Sequence, residues 1–271
     1  MTPLRDTTFR KIVNLMHEIC GLSFPDSKKP LIASRLAPRI QRLGMEDYDE
    51  YVSLIDSPQA GGELQMAIDL LTTNETYFFR EQPHFDLMER DLIERKLRNV
   101  SVWSAASSFG DEAYSIAMLL GDLQRKGTID PHWSILGTDI SDRVLRAATQ
   151  AVFPEDRMRE VSDERLKRYC LKGEGESEGL VQIKPTLREN VHFGRLNLTE
   201  PIEDLGPFDV VFLRNVLIYF DGPTKVEVVE RVTSRLKPGG LFFIGTAEGR
   251  VKTKTRLTPL GPGAFRKEAD E

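Results

Sequence analysis

Two spacings of apolar residues divide this chain. Up to residue 97 they recur at helical intervals only. Phe9, Ile12, Val13, Leu15, Met16 and Ile19 return every three or four positions, which puts them on one helix face. Gly21 stops that helix, because glycine accepts the left-handed backbone of a helix end. Leu31, Leu36, Ile40 and Leu43 predict a second helix ended by Gly44, with Pro38 inside it expected to kink or break it. Tyr48, Tyr51, Val52, Leu54 and Ile55 predict a short third. A fourth runs to Leu71 and a fifth spans about 82–97.

Beyond Asn99 short apolar runs alternate with amphipathic stretches. "VSVWSAA", "HWSILGTDIS", "FDVVFLRN" and "GGLFFIGTAE" read as strands. "GDEAYSIAMLLGDLQRKG", "SDRVLRAATQAVF" with Ser141 as its cap, and "GPTKVEVVERVTSRLK" with Pro223 in its first turn read as helices. Such alternation predicts an α/β fold with a doubly wound parallel sheet. Residues 160–195 break the rhythm: a short helix to Cys170, an acidic loop over 173–179, then Val181, Ile183, Leu187, Val191 and Phe193, which suggest a small hairpin insertion. The expected organisation is a helical domain over 1–82 and an α/β domain over 83–271, with a β-subdomain at about 160–195.

Composition narrows the function. The 271 residues are 40% hydrophobic and 29% charged, ordinary for a globular protein. A net charge of -5 argues against a general nucleic-acid coat, although a local basic patch is compatible with it. Cys20 and Cys170 lie far apart, so reduced thiols are expected. His17, His84, His132 and His192 are scattered in no ligand spacing, and no metal is expected. The N-terminus has no apolar signal core, and the longest apolar run, around Val210 to Phe220, is interrupted by Arg214 and Asn215. These features predict a soluble, cytoplasmic protein.

Candidate chemistry gathers at the predicted strand ends, where doubly wound sheets bind ligands. The first loop, "WSAASSFGDEAYSIAMLL", lacks the three glycines of a dinucleotide fingerprint and brings Asp111 and Glu112 to a helix start. Acids there either cap the helix or welcome a cation; they repel a pyrophosphate. Asp139 ends the second strand, where a carboxylate can accept both hydroxyls of a ribose or cap the next helix with Ser141. Arg214 and Asn215 interrupt an apolar strand, and Tyr219 follows five residues after Arg214. Buried polar groups need partners, so a ligand or a rigid polar loop is implied. Asn197 and Leu198, in "RLNLTE", form a similar polar end. Arg35, Arg39 and Arg42 share one helix face, either solvated or a docking surface for an acidic partner. "LTTNETYFFRE", 71–81, packs hydroxyls, an amide, three aromatics and a cation together.

Taken together, these motifs resemble the chemotaxis receptor methyltransferases, the CheR family, over nearly the whole chain. "LTTNETYFFRE" is similar to the family's signature after its helical domain, "WSAASSFGDEAYSIAMLL" to its first cofactor loop, "GTDIS" to its ribose-binding strand end and "LRNVLIYFD" to its late motif. "RYCLKGEGESEGLVQI" resembles its β-subdomain. Ser107, Phe109, Asp111 and Ala113 depart from the usual first loop, and "GTAE" stands for the commoner "GHSE".

The resemblance implies a Rossmann-like methyltransferase domain with S-adenosylmethionine as cofactor. It implies a protein-glutamate O-methyltransferase that esterifies glutamate γ-carboxylates of chemoreceptors. Asn74, Thr76 and Arg80 are then expected to line the cofactor site, Glu112 to face the methionine portion and Asp139 the ribose. Asn197 and Leu198 are expected near the adenine, and Arg214, Asn215 and Tyr219 at the methyl-transfer end, with Arg214 and Tyr219 orienting groups. The face of Arg35, Arg39 and Arg42 is expected to meet the receptor's methylation helix, and the β-subdomain to take a receptor tethering peptide. A monomer is expected. Glutamate is already ionised at pH 7, its reference pKa being ~4.3, so no general base is needed. Catalysis is then alignment and desolvation. The alternatives are a nicotinamide oxidoreductase, disfavoured by the missing glycines, and a non-catalytic cofactor-binding adaptor.

Overall fold

The computed structural model describes residues 2–249 and 252–269. Five helices come first: α1 (Asp6–Cys20), α2 (Lys29–Arg42), α3 (Tyr48–Ile55), α4 (Glu63–Leu71) and α5 (Gln82–Glu94). The first four enclose a core of their own, centred on Ile12, Met16, Ile32, Leu36, Ile40 and Tyr51, all essentially inaccessible. Gly21 caps α1 at φ 70, and an added Cβ would meet the Thr199 and Thr224 side chains at 2.8 and 2.9 Å. Pro38 does not break α2. It lies on the exposed face, where water can satisfy the Ser34 carbonyl that loses its usual donor.

The second body is a seven-stranded sheet in the order β6-β2-β1-β7-β8-β10-β9. Its strands are β1 (Ser101–Ser104), β2 (Ser134–Asp139), β6 (Val191–Arg195), β7 (Phe208–Leu213), β8 (Leu236–Ile244), β9 (Leu257–Gly261) and β10 (Ala264–Lys267). β6, β2, β1, β7 and β8 are parallel; the β9–β10 hairpin, which the helical and strand periods did not announce, closes the edge antiparallel. α6 (Asp111–Arg125), α7 (Asp142–Gln150) and α10 (Gly222–Ser234) make the crossovers. All of β7 is buried, as its continuous apolar run requires of a central parallel strand. Order reverses between β1 and β7, so the loops leaving their carboxyl ends part and open a crevice.

The small sheet, order β3-β5-β4, is antiparallel: β3 (Val152–Pro154), β4 (Cys170–Lys172) and β5 (Leu180–Ile183), with α8 (Asp163–Tyr169) before β4 and α9 (Pro185–Arg188) after β5. Two readings from periodicity are corrected here. Val191 and Phe193 do not extend the hairpin; they lie in β6, paired with β2 of the large sheet. Val152 and Phe153 do not end a helix; Ala151 turns left-handed at φ 56 and releases them into β3. Alternation fixes which faces are apolar but not which neighbour a strand takes.

Candidate functional site

The segment after α4 joins the two bodies. Arg35 on α2 donates from Nη1 to the carbonyls of Leu71 and Thr72 at 2.8 and 3.1 Å, and from Nη2 to Thr73 Oγ1 at 2.9 Å. These carbonyls close α4 and would otherwise be unpaired. Thr72 turns extended and residues 73–76 follow without regular secondary structure. Phe78 and Phe79 turn into the large core, where Phe78 meets Phe153 at 5.0 Å and Phe79 meets Phe85 at 5.1 Å. Ser115 Oγ on α6 accepts the Phe79 amide at 2.9 Å. Phe79 and Glu81 hold positive φ of 54 and 58, an uncommon state for side chains of that size.

A cavity of about 370 Å³ lies in the crevice between this segment and the strand ends. Asn74, Thr76, Arg80, Glu112, Asp139, Asn197, Leu198, Arg214, Asn215 and Tyr219 all line it. So the structure brings the ten candidate cofactor and catalytic residues to one place. Cys20, Leu22, Phe24, Lys28 and Leu31 of the helical domain close its far side. That roof was illegible in the sequence, because it depends on how the two bodies dock.

The side chains differ in how free they are. Glu112 accepts Ser104 Oγ at 2.7 Å and Arg214 Nε at 2.7 Å. Arg214 is buried; its Nη1 donates to the Arg80 carbonyl at 2.7 Å, and its guanidinium lies over Phe85 and Phe212. Arg214 therefore serves first as the counter-charge of Glu112. A carboxylate offers about four acceptor sites, so Glu112 keeps room for an ammonium group. Asp139 accepts the amides of Ser108 at 2.9 Å and Ser141 at 3.0 Å. Burial raises its carboxyl above the usual aspartate range, and these amides act against the rise. Ser108 sits at φ 50, and its hydroxyl donates to the Asn74 carbonyl at 3.1 Å. The buried Ser107 Oγ, in the same wall, has no protein partner. Asn197 is occupied: its Nδ2 donates to the Ile19 carbonyl at 2.7 Å and its Oδ1 accepts from Thr199. It fastens the strand end to α1, while Leu198 presents a buried apolar side.

Arg80 is different. Its Nη1 donates to the Glu75 carbonyl at 3.0 Å, its guanidinium is 5.9 Å from the Tyr77 ring, and among the described residues no acidic side chain pairs with it. Burial raises the Tyr219 phenol above its ordinary value, so it stays protonated at neutral pH. Burial also pushes the Cys20 thiol up to about 11, which removes it as a nucleophile. Glu248, the acid of "GTAE", anchors the late loop: it accepts the amides of Gly245, Asn215 and Leu217 at 2.7, 2.9 and 2.7 Å. Asn215 needs that support at φ 59. The sequence signal was an acid closely following a strand-ending Gly245.

The basic face of α2 is mostly engaged inside its own domain. Arg35 holds the linking segment, and Arg39 forms a two-point pair with Glu63 that lowers the carboxyl's pKa. Arg42 remains exposed.

The acid-lined strand ends and the unpaired Arg80 suit a zwitterionic nucleoside; relatives identify it. The description "CheR methyltransferase, SAM binding domain" matches residues 74–261, and "CheR methyltransferase, all-alpha domain" matches 7–72. The chain belongs to the CheR methyltransferase family. It is 38% identical to the chemotaxis protein methyltransferase of Escherichia coli, over 97% of this chain and 91% of that one. To the Salmonella typhimurium protein of that name it is 37% identical, over 90% and 84% of the two chains. The cofactor is S-adenosylmethionine. The residues present fit it: Arg80 offers a free cation for a carboxylate, Glu112 an acceptor for an ammonium, and Asp139 with the orphaned Ser107 hydroxyl a polar wall for a sugar. Among the described residues no helix is long and apolar enough to cross a membrane.

Proposed function

We propose that this CheR methyltransferase esterifies the γ-carboxylate of glutamates on chemoreceptor cytoplasmic helices. S-adenosylmethionine supplies a methyl group made electrophilic by its sulfonium. The observation that carries the reading is the unpaired Arg80 beside a protonated Tyr219 at one cavity. The cation can fix the cofactor's carboxylate while the phenol orients an acceptor carboxylate, and neither needs to remove a proton. Arg80, with Asn74 and Thr76, holds the cofactor's carboxylate end; Glu112 takes its ammonium and Asp139 its ribose. Leu198 and the backbone at Asn197 flank the adenine. Tyr219 orients the acceptor, and Arg214 keeps Glu112 aimed.

Arg42 is the part of the α2 face left for a receptor helix, and the small sheet is a place for a receptor tethering peptide. The enzyme works as a cytoplasmic monomer in this reading. Incubation with receptor membranes and methyl-labelled cofactor tests it. The expected label is released as methanol by mild base. Base-stable label would overturn the ester, and tight cofactor binding without transfer would assign an adaptor instead.

A further inference from the structure

One side chain just beyond the small sheet reaches the turn of the cofactor loop. Arg157 lies in the turn Glu155–Met158, directly after β3. Its guanidinium is 4.5 Å from the centroid of the Phe109 ring, and Arg143 approaches the same ring at 5.3 Å. Arg157 Nη1 is 3.3 Å from Asp111 Oδ2, and its backbone carbonyl accepts the Phe78 amide at 3.4 Å. Asp111 is fully buried, and its Oδ1 has no partner. A buried carboxylate in that state depends on its single counter-charge.

Phe109 and Asp111 flank Gly110, which turns the loop at φ 92. An added Cβ there would come within 3.0 Å of the Ala148 side chain, so the turn has little slack. On one side of the turn Ser108 gives its amide to Asp139; on the other Glu112 enters the cavity. A shift of 109–111 therefore moves Glu112 and the Ser108 amide that Asp139 accepts.

We propose that Arg157 is a positioning residue for the cofactor loop, and that through it the small sheet and the cofactor site are coupled. Arg157 does not line the cofactor cavity. It neutralises Asp111, covers Phe109 and ties both to the segment carrying Phe78. Whatever rests on the small sheet is thereby felt at Glu112. The inference adds to the proposed function without relying on the acceptor, because cofactor binding needs none.

The test titrates S-adenosylhomocysteine by calorimetry into the wild type and the variants Arg157→Gln, Arg157→Lys, Asp111→Asn and Arg157→Gln/Asp111→Asn. Arg157→Gln is expected to raise Kd about tenfold, within the ~0.5–2 kcal/mol typical of coupled sites. Arg157→Lys should recover part of this, and the double variant should be less impaired than the two single changes combined. Hydrogen exchange should show S-adenosylhomocysteine protecting residues 170–183 in the wild type and not in Arg157→Gln. Kd unchanged within about twofold, or strict additivity, would overturn the positioning role. Protection of 170–183 that survives Arg157→Gln would overturn the coupling. Should Arg157→Gln fail to fold, Phe109→Leu against Arg157→Lys reads the same contact by the same two measurements.

Discussion

Arg214→Met separates a supporting arginine from one that acts on the reacting atoms. The Arg214 side chain is 3% exposed and that of Glu112 11%, so the change strands a carboxylate in a nearly dry site. Removing one partner of such a pair costs about 3–5 kcal/mol, against total stabilities of ~5–15 kcal/mol. The Arg80 carbonyl also loses a donor, and the rings of Phe85 and Phe212 lose their cation. Arg214→Met should therefore lose about 3–5 kcal/mol in urea unfolding, measured at pH 7 by linear extrapolation. Adding Glu112→Gln should restore most of that, since a buried ion pair replaced as a whole is often neutral. Cofactor affinity should stay low in the double variant, because Glu112 no longer offers a charge. A loss below about 1 kcal/mol in Arg214→Met, together with a collapse of kcat at unchanged cofactor Kd, would refute this and make Arg214 a catalytic residue.

Three further outcomes are expected. Arg80→Ala should weaken S-adenosylhomocysteine binding by ten- to a hundredfold, roughly the ~1.5–3 kcal/mol of a charge-assisted hydrogen bond, while stability by urea unfolding moves by less than about 0.5 kcal/mol. Tyr219→Phe should lower kcat by no more than about tenfold with cofactor Kd unchanged; a loss of many orders of magnitude would give the phenol a chemical role. Asp111→Asn should change the pH dependence of stability. Burial pushes the Asp111 carboxyl up to about 6 despite the nearby Arg157, so ionising it opposes folding. The wild type then forfeits stability as pH rises from about 4 to about 6, by up to ~3 kcal/mol, and the variant does not. The two should coincide below pH ~4 in urea unfolding; a variant less stable than the wild type at pH 7 would contradict the sign.

The sequence made the carboxyl ends of the strands readable, because Asp139, Arg214 and Asn215 stand where an apolar run must stop. A buried strand tolerates such residues only with partners waiting. What it could not show was the partners' identity. Glu112 and Arg214 are far apart in the chain, and only the parallel pairing of β1 with β7 makes them neighbours. Arg35 and Arg39 looked like a basic face because periodicity registers a side, not what covers it. Likewise the alternation of Val191 and Phe193 was real, but a strand's period does not choose its sheet.

Four residues of this neighbourhood, Phe79, Glu81, Ser108 and Asn215, hold left-handed backbone without being glycine. Each such conformation costs roughly 1–2 kcal/mol relative to ordinary geometry. The region around the cofactor cavity thus stores backbone strain, held in shape by Glu248, Ser115 and Asp139. Selection for stability alone would find its easiest gains at these positions, by admitting glycine. Those gains would come out of the backbone that aims the cavity walls. The most heat-resistant descendants of this enzyme should accordingly not be its fastest.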